Sequence, residues 1–96
     1  MTQNSDEFVT TLADGRLRVL APFGVRFLIE GGSAAAEAPE VNEFGFGSSR
    51  SEAVQDLRAA IRELCLTLHD DRGRLGPDLW KVWEVLRGKM HIRHDD

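Results

Sequence analysis

The chain has 96 residues, 42% of them hydrophobic and 29% charged, with a formal net charge of -4. That length accommodates a single domain with one modest core, and the hydrophobic share excludes wholesale disorder. No run of about 18 apolar residues is present to span a membrane. The polar start Met1–Glu7 lacks the pattern of a secretory signal, and a lone cysteine cannot build a disulfide framework. A cytoplasmic location is therefore expected.

The first half reads as short strands. Phe8 to Ala13 and Arg16 to Leu20 flank Asp14-Gly15, a dipeptide favoured in type I′ hairpin turns. Pro22 ends or bends the second of these runs. Val25, Phe27 and Ile29 then alternate with Arg26, Leu28 and Glu30, the clearest strand of the chain. Gly31-Gly32-Ser33 is a turn into Ala34–Ala38; Pro39-Glu40 breaks that run, and Val41 to Phe46 resumes it. The pattern predicts an antiparallel meander of three or four strands over about residues 8–46.

At Gly47 the period changes from two to 3.6. Ser49 and Glu52 fit a capping box, and Ala53, Val54, Leu57, Ile61, Leu64, Cys65 and Leu68 recur along one stripe. The spacing predicts an amphipathic helix over about 50–69 that packs on the sheet. Asp70 to Arg74 is a polar linker, and Pro77 and Asp78 suit the start of a second helix over about 77–88. Leu79, Val82, Trp83, Leu86 and Met90 form its apolar stripe. Trp80 and Trp83 lie three apart near one face, and both are read as core residues, with an exposed one available as an interface anchor. Residues 91–96 are expected to fray. The fold class is α+β: one antiparallel sheet followed by two helices, in a single domain.

Charge is unevenly placed. Residues 1–50 hold seven acids against four arginines, and the stretch between Arg26 and Arg50 contains no basic residue but does contain Glu30, Glu37, Glu40 and Glu43. Binding along a phosphate backbone needs clustered Lys and Arg, so direct nucleic-acid binding is not expected, and a basic protein partner suits this stretch better. Solvated acids on an ordinary surface would give the same pattern.

Catalytic chemistry finds little support. Cys65 sits on the apolar stripe between Leu64 and Leu66, where a cysteine is a small core residue. His69 falls at the end of the first helix and suits its dipole. His91 and His94 beside Asp95 and Asp96 are ligand types for zinc or nickel, but in a tail that nothing orders. No metal or cofactor is assigned. Gly45-Phe46-Gly47 precedes a helix, yet matches neither nucleotide fingerprint.

The run Phe27-Leu28-Ile29-Glu30-Gly31-Gly32, then Ala34–Ala38, Pro39-Glu40, Phe44-Gly45-Phe46-Gly47 and Ser51-Glu52-Ala53, resembles the HicB-like antitoxin domain over about residues 25–69. The resemblance implies a truncated RNase H-like fold without catalytic acids and a non-enzymatic role: binding a small basic mRNA-cleaving toxin and occluding its catalytic histidine. Members acting as repressors usually carry a C-terminal DNA-binding domain, for which this chain shows no counterpart, so it resembles the shorter variants. On this reading occlusion uses a sheet edge and the acids Glu30, Glu37, Glu40 and Glu43, and a homodimer forms through that edge or through Trp80 and Trp83. The alternative is a small acidic phage-type inhibitor or adaptor of another nucleic-acid-handling defence complex.

Overall fold

The computed structural model describes residues 7–93. Its elements in chain order are β1 (Glu7–Val9), β2 (Leu17–Val19), β3 (Phe23–Glu30), β4 (Ser33–Ala38), β5 (Glu43–Gly47), α1 (Arg50–Asp70), a 3-10 turn (Arg72–Arg74), α2 (Pro77–Lys89) and β6 (Met90–Ile92). A four-stranded antiparallel sheet runs in the order β1-β3-β4-β5, and β2 and β6 form a separate two-stranded ribbon. This is an α+β fold, as the periodicities predict.

The β3–β4 hairpin closes through Gly31-Gly32, with Glu30 opposite Ser33. Gly31 has φ 58 at the first of the two central positions, the conformation that a type II′ turn requires and glycine adopts without steric cost. The β4–β5 turn uses Asn42 at φ 57, a residue that tolerates the left-handed region.

Helix α1 begins at Ser49, whose side-chain oxygen accepts the Glu52 amide at 3.2 Å. The reciprocal half of the expected capping box is shifted by one residue. The Glu52 carboxylate accepts from the backbone N–H and the hydroxyl of Ser48, at 2.9 and 2.8 Å, rather than from Ser49. Both bonds hold the Glu52 carboxyl below its usual pKa. The apolar stripe Ala53, Val54, Leu57, Ile61, Cys65 and Leu68 is buried, and each fully covered Leu or Ile contributes about 1.5–3 kcal/mol of transfer free energy.

The sheet meets this stripe with small residues. Ala34, Ala36 and Ala38 of β4 are buried. At Gly45 of β5 a Cβ would lie 2.2 Å from the carbonyl oxygen of Ala53 and 2.2 Å from the amide nitrogen of Leu57. Helix backbone therefore rests directly on strand backbone, a close approach that only glycine permits.

Two expectations are corrected. Asp14-Gly15 does not join a local hairpin: β1 pairs with β3, and β2 pairs with β6. A type I′ turn needs positive φ at both central residues, and neither Asp14 nor Gly15 has it; Ala13 does, at φ 57. Instead the Asp14 carboxylate accepts the Arg16 amide at 2.9 Å and its carbonyl accepts the Leu17 amide, an Asx-type turn that sends the chain away from β1. Nor does the segment after α2 fray, for Met90 is buried and Leu17, Arg18 and Val19 pair with Ile92, His91 and Met90. His94, Asp95 and Asp96 lie outside the described residues.

Lys89 fastens the ribbon to the sheet. Its carbonyl accepts the amides of Leu20 and Ala21 at 2.7 and 3.1 Å. Its ammonium donates to the Pro22 carbonyl at 2.8 Å and pairs with Glu40 at 3.1 Å. From the other side, Arg62 of α1 donates to the Leu12 carbonyl at 2.9 Å, holding the β1–β2 connection.

Candidate functional site: the outer face of the sheet

Side chains alternate across a strand, so placing Gly45 and Gly47 against α1 sends Phe44 and Phe46 to the opposite face. Their rings stack there, 6.4 Å between centroids and 13° between planes. The register puts Leu28, Ala35 and Phe46 in one cross-strand rank and Arg26, Glu37 and Phe44 in the next. Phe8, opposite Gly24, extends the face. Four large apolar side chains are exposed here: Leu28 at 65%, Phe46 at 64%, Phe8 at 55% and Phe44 at 43%.

One ion pair crosses the face among the described residues. Arg26 Nε and Nη2 donate to Glu37 Oε1 at 3.2 and 2.9 Å. Beside this pair a shallow cavity of about 250 Å³ lies among Arg26, Leu28, Ala35, Glu37 and Phe44. Exposed apolar side chains rimmed by an ion pair mark surfaces that bind other molecules, and aromatic residues and arginine are the types enriched at protein interfaces.

The acids singled out in the sequence do not form one surface. Glu30 is exposed beside the hairpin, and Glu37 is engaged by Arg26. Glu40 sits in the β4–β5 turn, paired with Lys89 and accepting the Gly24 amide at 3.3 Å. Glu43 belongs to the α1 side of the sheet, near Ala60, Glu63, Leu64 and Thr67. Desolvation there raises its pKa, against the lowering effect of a bond from the Phe44 amide.

The free edge of β5 is partly engaged. Asp56 of α1 accepts the Phe46 amide at 2.9 Å. This carboxylate occupies a donor that an added strand would need, which disfavours the expected use of a sheet edge at β5.

The tryptophans divide. Trp83 is buried at 4% exposure, its ring 5.8 Å from that of His69. It is a core residue and cannot touch a partner. Trp80 is 39% exposed, with the Arg87 guanidinium 6.0 Å from its ring. Only Trp80 keeps the role of a candidate anchor, and it stands on α2 rather than on the sheet. Cys65 is fully buried against Met90, its thiol pushed up to about 11 by burial. Among the described residues no three His, Cys, Asp or Glu side chains converge as a metal site, and no helix is long and apolar enough to cross a membrane.

Reading acids by position along the chain missed Phe8, Leu28, Phe44 and Phe46. A signal for two of them was present: in Phe-Gly-Phe-Gly, a period of two puts both rings on the face opposite the glycines. No family model, curated protein or solved structure matches this chain.

Proposed function

We propose that this chain is a non-enzymatic binding protein, a HicB-like antitoxin that occludes a small basic mRNA-cleaving toxin, and that the outer face of the sheet is where it does so. The observation that carries the reading is the exposure of Phe8, Leu28, Phe44 and Phe46 on one face. Apolar surface of this kind is expensive to leave in water and stabilises a complex when covered. The aromatic rings supply the hot-spot energy. Glu30, exposed beside the hairpin, favours a basic partner over an acidic one and speeds its approach. The function is stoichiometric cover, carried out in the cytoplasm, where a single reduced cysteine such as Cys65 is at home.

The test is a tagged pull-down from the native host at low salt, with mass spectrometry of what co-elutes. A small basic partner whose ribonuclease activity falls to zero at a fixed stoichiometry is expected. Phe44→Ala with Phe46→Ala should weaken that complex by at least about 2 kcal/mol, the scale of a hot spot. Recovery of a large nucleic-acid-handling complex would replace the antitoxin reading by the phage-type inhibitor. A partner bound equally well by the double variant would remove the outer face from the contact. Self-association alone would make a second copy the occupant.

A further inference from the structure

The two-stranded ribbon assembles a cationic surface from opposite parts of the chain. Leu17 and Met90 are buried and Val19 and Ile92 half-buried, which turns the alternate residues Arg16, Arg18, His91 and Arg93 outward. Arg18 stands opposite His91. One rank further, the Arg93 amide donates to the Arg16 carbonyl at 2.8 Å. Two cationic ranks therefore follow one another along the ribbon at a step of roughly 6.6 Å, two strand residues. They line an open cleft of about 490 Å³ that also receives Thr10 and Asp14.

One carboxylate faces this cleft among the described residues. Asp14 holds Arg16 through Oδ1 to Nε at 3.1 Å and Oδ2 to Nη2 at 2.8 Å. These bonds and that from the Arg16 amide keep its carboxyl down at about 2, so it stays ionised and offsets one guanidinium. Arg18 and Arg93 remain exposed, with no carboxylate within ion-pair distance among the described residues.

We infer that this cleft is a binding site for the phosphodiester backbone of single-stranded nucleic acid. Repeating cationic ranks match a repeating anion better than a solitary one. Guanidinium planes and the His91 imidazole offer surfaces on which unpaired bases stack. The inference does not rest on the partner-binding reading, since it uses another part of the molecule and other residues. It also departs from the expectation drawn from residues 26–50, because the ribbon takes none of its side chains from that stretch.

The test is fluorescence anisotropy of a short labelled oligouridine with the full chain, so that Asp95 and Asp96 remain in place. Two to three phosphate contacts at roughly -0.7 each predict a log–log salt slope of about -1.4 to -2.1, or roughly a tenfold loss of affinity between 50 and 200 mM salt. Arg18→Glu with Arg93→Glu should abolish binding, and Arg18→Ala with Arg93→Ala should weaken it at least about tenfold. Lys81→Glu with Arg87→Glu, an equal charge change on α2, should leave it close to wild type. The near-UV signal of buried Trp83 checks that each variant folds. No binding by the wild type at low salt, equal loss in the α2 control, or displacement by inorganic phosphate as readily as by unlabelled oligouridine would each overturn the inference.

Discussion

On β4 and β5 the two faces of the sheet reverse the usual distribution of size. The side beneath α1 carries Ala34, Ala36, Ala38 and Gly45, and the uncovered side carries Phe44 and Phe46, with Leu28 and Phe8 beyond them; the bulky inner residues Val9, Phe23 and Val25 stand on β1 and β3. Bulk on a sheet normally marks the buried side, because large side chains gain most from leaving water. Here the helix lies so close to β4 and β5 that only small residues fit beneath it. The large apolar volume of the core comes from α1, from Val9, Phe23 and Val25 on the inner side of β1 and β3, and from Leu12 and Leu86. Once the inner face is closed in this way, the outer phenylalanines do little for the fold, and their exposure needs another explanation.

The strongest challenge to this contrast is to put bulk on the inner face. Gly45→Val places carbon atoms within the van der Waals radius of Ala53 and Leu57 backbone. It should cost about 3 kcal/mol or more in urea unfolding, the upper end of overpacking. Leu57→Ala removes bulk from the helix side and should cost about 3 kcal/mol, with a lower midpoint and an unchanged m-value. On the outer face, Phe44→Ala with Phe46→Ala deletes two whole rings yet should change stability by no more than about 1.5 kcal/mol, the scale of an aromatic pair. A loss as large as that of Leu57→Ala would mean that the outer face is structural.

Two smaller effects sharpen the contrast at its borders. Glu43 has a folded-state pKa above its ordinary value of 4.5. The stability it contributes is therefore complete below that value and is lost as pH rises through the raised one. Glu43→Gln should raise the melting temperature at pH 7, and the difference from wild type should vanish as pH falls below the ordinary value. An unchanged gap at acid pH would show that charge is not its cause. Cys65, with its thiol pushed up to about 11, should resist alkylation in the folded protein at pH 8 and react at the rate of global unfolding.

What the sequence showed and what it concealed follow from the range of the interactions involved. Helix α1 was legible because its cap at Ser49 and its apolar stripe are local patterns. So was the start of α2 at Pro77, and so was the glycine turn between β3 and β4. The partner of β2 was not legible, for nothing near Leu17 indicates that Met90–Ile92 will lie beside it. Asp14-Gly15 misled because its side-chain bonds to Arg16 selected a different turn from the one its composition favours. The candidate contact surface was hidden for a third reason. Acids close in sequence are not close in space here, for the pleat and the β4–β5 turn carry Glu37, Glu40 and Glu43 in three directions.

The β2–β6 ribbon joins Leu17–Val19 to Met90–Ile92, two segments far apart in sequence, and this has a consequence for how the protein is made. During synthesis β2 emerges early and must wait for residues 90–92 before it can pair, while Leu17 stays uncovered and the Lys89 clasp is absent. The β3–β4–β5 meander and α1 can form in the interval from contacts near in sequence, but the last step is a long-range closure and a slow one. Until it occurs, the nascent chain exposes apolar surface that the finished molecule conceals, and chaperones and proteases have their opportunity to act on it.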